Sequence, residues 1–236
     1  MSTPLNDPMG QAILDFSIKG KADDIIVSSD ICDDDIIPVH YLFRSYDEMP
    51  EIEQFALGRC EGKILDVGAG AGMHSEFLIN KGLQVKAIDI SPKSIEHMRS
   101  RNIPCENINF LDLKHGNYNV LLLLMNGIGI AKTLKQLDAL LVHAKKLVNS
   151  GGKIICDSSD IKYLYEDEEG GYWMDLNSSY YGNFRFQMKY KNHISEWFEW
   201  LYVDFDNLKQ AASRTGWKAT KVYENGDHYL AELTLL

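Results

Sequence analysis

A short apolar segment that runs directly into a glycine-rich turn is the feature that most limits what this chain can fold into. The sequence ILDVGAGAGMH spans Ile64 to His74 and places glycine at every second position from Gly68 to Gly72. Glycine accepts positive φ angles and, because it has no Cβ atom, lets a ligand approach the backbone closely. A strand followed by such a turn and then by a helix is typical of parallel α/β folds that bind a ligand at the helix N-terminus.

The alternation of short apolar segments with helical patterns continues to Cys156 and predicts an α/β fold, a parallel sheet with helices on both faces. Ser91 and Pro92 are predicted as the N-cap and first residue of the second helix, and Gly151 and Gly152 are predicted to end the third. The predicted strands are 63–67, 84–90, 108–110, 119–125, 153–157, 217–223 and 228–235. The predicted helices are 73–81, 92–101, 133–148 and 205–215.

Two segments lie outside this alternation, residues 1–60 and an insert at about 162–203. The insert holds thirteen of the chain's twenty-five aromatic residues, and from Phe184 to Tyr190 apolar and polar residues alternate as they do in a strand with one covered face. With a partner strand over 196–203 it is predicted to form an antiparallel hairpin. We therefore expect an N-terminal cap segment, with a short helix over 49–57, followed by one domain over 61–236 that carries the hairpin insert.

The spacing of the glycines separates three possible ligands of the turn. A triphosphate-binding loop requires a lysine followed by serine or threonine, and neither follows Gly68 at the right distance. A dinucleotide fingerprint requires G-x-G-x-x-G, whereas Met73 stands where its last glycine belongs. The turn thus excludes a triphosphate loop and disfavours a dinucleotide.

The segment DVGAGAG, Asp66 to Gly72, resembles motif I of the class I S-adenosyl-L-methionine (SAM)-dependent methyltransferases, an acid followed by G-x-G-x-G. Four later stretches resemble that family's strand motifs in the same order: AIDIS, NFLDL, LLLLMN and VNSGGKII. The resemblance covers about residues 60–157 and, more weakly, 204–236. It implies a seven-stranded, mostly parallel Rossmann-like sheet of strand order 3-2-1-4-5-7-6 and methyl transfer from SAM, with S-adenosyl-L-homocysteine (SAH) as product.

The resemblance also implies roles in cofactor binding. Asp66 helps to hold the amino group of SAM, Asp89 accepts both ribose hydroxyls, Asp112 accepts from the adenine amino group and Leu113 packs against the ring. The implied cofactor-binding residues of the strand ends and turns are Asp66, Gly68, Ala69, Gly70, Gly72, Asp89, Ile90, Leu111, Asp112, Leu113, Met125 and Asn126.

Residues outside the strand motifs are also candidates for the cofactor. Tyr41 and Arg44 precede the first strand of the sheet, and arginine suits a two-bond grip on the methionine carboxylate. His74, which opens the first helix after the turn, is a further candidate for that group. The alternatives are that Arg44 lies on a solvated helix face and that His74 is solvated at its helix N-terminus.

For the methyl acceptor, the candidates are Asn126, Asp157, Tyr163 and Tyr172. Asp157 ends the fifth strand, where a carboxylate can remove a proton from an amine or hydroxyl acceptor. Capping of the DSSD turn is the alternative role for Asp157. The sequence does not identify the acceptor or its nucleophilic atom.

Composition limits the partners. A formal net charge of −10 opposes binding to phosphate backbones, so we expect a small-molecule acceptor rather than a nucleic acid. The longest apolar segments are of buried-strand length, and the N-terminus has no signal-peptide pattern, so we expect no membrane association and a cytoplasmic enzyme without a metal site. The oligomeric state, monomer or homodimer, stays open. An NAD-dependent oxidoreductase and a non-catalytic SAM-binding protein are the two rival interpretations.

Overall fold

A computed structural model of the chain describes residues 6–166 and 180–236. Within these ranges the strands lie in two sheets. The strands are β1 Ile25–Ser29, β2 Asp35–Ile37, β3 Lys63–Val67, β4 Gln84–Asp89, β5 Cys105–Asn107, β6 Tyr118–Leu123, β7 Val148–Ser159, β8 Asn183–Tyr190, β9 His193–Ile194, β10 Phe198–Leu201, β11 Trp217–Asn225 and β12 His228–Leu235. The α-helices are α1 Pro8–Lys19, α2 Glu51–Gly58, α3 Met73–Asn80, α4 Pro92–Ser100, α5 Leu134–Ala144 and α6 Phe205–Arg214.

The larger sheet confirms the predicted fold class and strand order. Its seven strands run β5-β4-β3-β6-β7-β12-β11, which in the numbering of the prediction is 3-2-1-4-5-7-6. The strands from β5 to β7 are parallel, whereas β12 is antiparallel to both of its neighbours. The carboxyl ends of β3, β4, β6 and β7 therefore lie along one edge of the sheet.

Helices cover both faces of this sheet because the side chains of each central strand alternate between them. On β6, Leu121 and Leu123 join a core cluster with α5 and α6, while Val120 and Leu122 join a second cluster with α2 and α3. All four side chains are at most 1% exposed. A strand buried on both faces explains why this segment of the sequence is continuously apolar.

The third strand lies earlier in the chain than predicted. It spans Cys105–Asn107 rather than 108–110, and Phe110 instead begins a 3-10 helix that ends at Asp112. The side-chain oxygen of Asn109 accepts a hydrogen bond from the backbone N–H of Leu111 at 2.9 Å and caps this helix. An asparagine side chain that satisfies the backbone locally competes with strand pairing, so the predicted strand was wrong.

The helix predicted over 133–148 ends at Ala144, and the fifth strand begins at Val148 rather than at residue 153. Val148 pairs with Tyr118 of β6, so the Gly151-Gly152 pair lies inside the strand and does not end the helix. A Cβ atom at Gly152 would lie 2.8 Å from the Cβ of Val148 and 2.9 Å from the carbonyl oxygen of Tyr118. Glycine therefore allows the irregular register of this strand pair.

The smaller sheet, which we call the cap sheet, joins the two segments that lie outside the predicted alternation. Strands β8 and β10 pair as the predicted antiparallel hairpin, and β8 also pairs with β1, which in turn pairs with β2. The sequence does not predict α1, β1 or β2, and β1 is short, partly polar and paired on one side with a segment more than 150 residues away. Helix α1 packs on β8, and the hydroxyl of Tyr190 donates to the carboxylate of Asp15 at 2.9 Å.

In the described part of the chain, none of the helices has both the length and the apolar composition that a membrane crossing requires.

The cap sheet leads to a prediction about stability. Ile25 in β1 is fully buried, so Ile25→Ala is expected to lower the free energy of unfolding by about 2–5 kcal/mol, through the lost apolar contacts and the cavity left behind. Ile18→Ala, at a position that is 77% exposed on α1, is the control and is expected to change it by less than about 0.5 kcal/mol. Urea denaturation measures both. Equal effects of the two substitutions would contradict the burial of β1.

Candidate functional site

The glycine turn between β3 and α3 opens onto a cavity. The three glycines all adopt left-handed conformations, with φ of 71° at Gly68, 57° at Gly70 and 81° at Gly72. A Cβ atom at Gly68 or Gly70 would meet nothing within 4 Å, whereas one at Gly72 would lie 2.8 Å from the side chains of Met98 and Ile103. Gly68 and Gly70 therefore present bare backbone to the cavity, and Gly72 allows the turn to pack on α4.

The carboxylate of Asp89, at the end of β4, is held beside this turn by backbone groups. It accepts from the N–H of Gly70 at 2.9 Å and from the N–H of Ser91 at 2.8 Å. Burial nevertheless raises the pKa of Asp89 to about 6, with the nearby carboxylates of Asp7 and Asp66 acting in the same direction. The hydroxyl of Ser91 donates to Asp7 at 2.6 Å, which ties the start of α1 to the same corner of the cavity.

A buried carboxylate that the sequence analysis did not single out, Glu53 of α2, organises the next group of side chains. One of its oxygens accepts from Arg44 Nη2 at 2.8 Å, and the other lies 2.8 Å from His74 Nε2. Burial opposes ionisation of Glu53, but His74 and Arg44 outweigh it and hold its pKa below the usual value. The pKa of His74 is raised, because Glu53 and Asp66 outweigh the burial that favours the neutral ring. This arrangement favours the charged form of His74.

Arg44, which lines the cavity, has two guanidinium nitrogens without a hydrogen-bond partner within the described residues. The guanidinium lies over the ring of Tyr41, 3.6 Å from its centroid, and the whole residue is 7% exposed. Its Nε and Nη1 atoms are buried and have no hydrogen-bond partner within the described residues. Buried guanidinium donors without acceptors are costly, so Arg44 carries an unmet demand for an acceptor at this position.

The cavity runs between the carboxyl edge of the large sheet and the cap sheet and has a volume of about 1890 Å³. Thirteen of the predicted site residues line it: Tyr41, Arg44, Asp66, Gly68, Ala69, Gly70, His74, Asp89, Ile90, Leu111, Met125, Asn126 and Tyr163. The sequence therefore located this cavity from residues spread over more than 120 positions.

A comparison with known proteins identifies the class of molecule. A family model described as a methyltransferase domain matches residues 64–152. The crystal structure of a SAM-dependent methyltransferase from Bacteroides fragilis, in complex with SAH, is 41% identical to this chain. It superimposes with a TM-score of 0.93, and the alignment covers 99% of this chain and 97% of that one. This chain belongs to the SAM-dependent methyltransferases.

Two further relatives agree with this assignment. An uncharacterised methyltransferase from Staphylococcus carnosus is 25% identical over 195 residues, which are 82% of this chain and 86% of that protein. The CcbJ methyltransferase from Streptomyces caelestis is 14% identical, with a TM-score of 0.59 over 80% of this chain and 94% of that one, a likeness that shows the shared fold. The predicted class I methyltransferase family and its cofactor SAM are thus confirmed, and the alternative of an NAD-dependent oxidoreductase is wrong.

Some residues that the resemblance assigns to the site lie elsewhere in the methyltransferase. Leu113 is 8% exposed and packs in the core, and Asp112 is exposed at the end of its 3-10 helix, outside the cavity lining. Asp157 is 1% exposed and also lies outside the lining. Tyr172 lies outside the described residues. The shift of the third strand toward residue 105 is the physical reason that Leu111, rather than Asp112 or Leu113, faces the cavity.

The methyltransferase cavity gathers several apolar side chains that are unusually exposed for their type. Ile90 is 62% exposed and Leu111 is 47% exposed beside the turn of Asp89, while Met125, Tyr41 and Tyr163 are between 43% and 51% exposed. All of these side chains line the cavity. Apolar surface concentrated in one concave site is typical of surface that a ligand covers.

The Arg44–Glu53 pair leads to a prediction about stability. Both side chains are at most 8% exposed, so Arg44→Met leaves a buried carboxylate with one partner fewer and is expected to lower the free energy of unfolding by about 3 kcal/mol. Arg44→Met combined with Glu53→Gln removes the buried negative charge that His74 alone would then compensate, and is expected to recover part of that loss. Urea denaturation measures both. A double variant less stable than the single variant would contradict this account.

Arg59→Met is the matched control. Arg59 makes a two-bond pair with Glu232 but is 37% exposed, so its loss is expected to cost no more than about 1 kcal/mol.

Proposed function

We propose that this methyltransferase binds SAM between the glycine turn and the ends of β4 and β6, and transfers the methyl group to a small molecule held against the cap sheet. The observation that carries the proposal is the size and lining of the cavity. Its volume of about 1890 Å³ exceeds the roughly 300–1,000 Å³ of a typical small-molecule pocket and leaves room for cofactor and acceptor together.

The residues at the glycine turn fit the parts of the cofactor. Asp89 accepts hydrogen bonds from both ribose hydroxyls, and the exposed side chains of Ile90 and Leu111 enclose the adenine ring. The guanidinium of Arg44 binds the methionine carboxylate, and Asp66 accepts from the amino group of SAM, since both residues line the cavity. The bare backbone of Gly68 and Gly70 leaves space for the chain between these two ends.

Bound SAM supplies a methyl group on a positively charged sulfur. In an in-line displacement this sulfur departs as a neutral thioether, which makes it an excellent leaving group. The protein therefore contributes mainly alignment of the acceptor and exclusion of water. Met125 and Asn126, at the end of β6, form the floor of the cavity beside the turn and are the residues proposed to position the sulfonium.

The acceptor is proposed to pack on the aromatic face of the cap sheet. Phe186 lies opposite Phe198, and Phe184 lies opposite Trp200, in the register of β8 and β10. Residues directly opposite each other share one face of a sheet, and all four line the cavity. An acceptor with an apolar or aromatic portion fits this wall, and Tyr163 is proposed to contact it from a neighbouring 3-10 helix.

Trp200 connects this wall to the cofactor floor. A Cβ atom at Gly129, in the 3-10 helix that follows Asn126, would lie 2.1 Å from the Nε1 atom of Trp200. Glycine at this position therefore allows the indole of Trp200 to lie directly on the 3-10 helix that follows Asn126. The aromatic face of the cap sheet thus contacts the segment that follows Met125 and Asn126. The proposed acceptor site therefore lies next to the proposed position of the sulfonium.

Several expectations from the sequence remain proposals: the small-molecule acceptor, the exclusion of nucleic acid, the cytoplasmic location and the choice between monomer and homodimer. The net charge of −10 supports the second of these, since a phosphate backbone is drawn to positive surfaces.

Cofactor binding gives the first test of the proposal. We expect SAM and SAH to bind the wild-type protein in isothermal titration, and Asp89→Ala to weaken SAH by about tenfold or more, through the loss of a charged acceptor. Absence of binding by both ligands at millimolar concentration would contradict the proposed site.

The pH dependence of binding tests the role of Asp89 separately. Its pKa of about 6 in the free protein is raised by burial, and ribose hydroxyls donate to the ionised carboxylate. SAH affinity is therefore expected to be constant above pH 6 and to fall below it by up to about tenfold per pH unit, until the pKa of the complex is reached. Asp89→Asn is the control and is expected to lose this dependence. An unchanged pH profile in that variant would assign the titration to another group.

Methyl transfer from isotopically labelled SAM to a panel of small molecules tests the acceptor site. For an acceptor found in this way, Phe186→Ala is expected to raise KM by about tenfold or more, through the loss of apolar contact, with the Kd of SAH unchanged. Arg185→Ala is the matched control, because Arg185 is the next residue of β8 and does not line the cavity. Equal effects of the two substitutions would contradict the aromatic wall. Binding of SAM with no acceptor found would favour the non-catalytic alternative.

A further inference from the structure

The turn that forms the cavity floor after β6 has an unusual backbone. Met125 and Asn126 are consecutive residues, both with φ of 59°, and neither is glycine. Side chains make the left-handed conformation unfavourable, so two such residues in succession persist only where the surrounding structure holds them. Both residues line the cavity, which places this strain at the position proposed for the sulfonium.

The buried carboxylate of Asp157, in the neighbouring strand β7, holds this turn. Its Oδ1 atom accepts a hydrogen bond from the backbone N–H of Asn126 at 2.8 Å. The side chain of Asn126 has weaker ties: its Nδ2 atom lies 3.5 Å from the carbonyl oxygen of Leu201, and its Oδ1 atom has no hydrogen-bond partner within the described residues. The bond to Asp157 is therefore the main side-chain restraint on the turn, beside the backbone hydrogen bond that the Gly129 N–H donates to the Asn126 carbonyl oxygen at 3.0 Å.

The carboxylate of Asp157 is itself held by His228, the first residue of β12. Its Nε2 atom lies 2.8 Å from Asp157 Oδ2, so the two oxygens of Asp157 have separate partners. The two residues lie side by side because β12 runs antiparallel to β7, with His228 opposite Ser159 and Leu230 opposite Asp157. A chain of two hydrogen bonds thus links the start of β12, through Asp157 of β7, to the floor of the cavity.

We propose that Asp157 is a positioning residue for methyl transfer: with His228 behind it, it fixes the left-handed turn of Met125 and Asn126 beneath the sulfonium. This inference rests on the proposed placement of SAM. It differs from the direct contact with the acceptor that the sequence suggests for Asp157, because the carboxylate is 1% exposed and does not line the cavity.

Titration of SAH into four proteins tests the inference. Asp157→Ala removes both hydrogen bonds and is expected to weaken SAH by about tenfold or more, whereas Asp157→Asn keeps an acceptor for the Asn126 N–H and is expected to weaken it by less than about threefold. Glu232→Gln is the matched control on β12, because Glu232 pairs with Arg59 and Lys153 away from the cavity lining. Its SAH affinity is expected to equal that of the wild type.

A double-variant comparison separates positioning from a general loss of stability. Glycine adopts positive φ without strain, so Asn126→Gly relaxes one of the two left-handed residues, and in that background the further change Asp157→Ala is expected to weaken SAH by a smaller factor than in the wild type. Thermal unfolding without ligand shows that each variant is folded.

The outcomes distinguish the inference from the proposed function. Failure of the wild-type protein to bind SAH contradicts the proposed function itself. Normal wild-type binding, with Asp157→Ala weakening SAH equally in both backgrounds or not at all, overturns the positioning role and leaves the proposed function intact.

Discussion

Three buried carboxylates, Glu53, Asp66 and Asp157, lie at one end of the large sheet, and the rest of the site depends on how each is satisfied. A desolvated carboxylate is stable only with donors or cations close by. Glu53 takes Arg44 and His74, Asp66 takes the hydroxyl of Ser75, and Asp157 takes a backbone N–H and His228. Each carboxylate thereby fixes a segment that borders the cavity: the residues before β3, the start of α3, and the turn after β6.

The cap sheet imposes a second constraint. Its central pair joins β1, near the start of the chain, to β8 in the insert, and the cavity is closed by the face that the two segments build together. Neither segment alone provides the whole sheet, because the pairing of β1 with β8 joins the strands of the two segments. The proposed acceptor wall of Phe184, Phe186 and Trp200 is therefore positioned by residues that are far apart in the sequence.

The strand motifs were predictable because they are local. The segment from Ile64 to His74 contains a strand, a turn that requires glycine, and a helix start, and each follows from the residues themselves. The third strand and the Gly151-Gly152 pair were not predictable in the same way. A hydrogen bond that the Leu111 N–H donates to the Asn109 side chain redirects the chain in the first case, and pairing of Val148 with Tyr118 extends the strand in the second. Asp112 and Leu113 lie outside the cavity for the first of these reasons.

By itself the sequence determined the glycine turn, because the turn depends on local backbone conformation, and the family to which the motifs belong; the order of the seven strands was implied by the resemblance to that family. Only the tertiary structure decided which polar groups meet. Glu53 pairs with Arg44 and His74, and Ser91 donates a hydrogen bond to Asp7. Asp157 bonds to the backbone of Asn126 and to His228 rather than lining the cavity. The physical reason is that hydrogen bonds between distant segments depend on the packing that brings their atoms within about 3 Å, which no local pattern encodes.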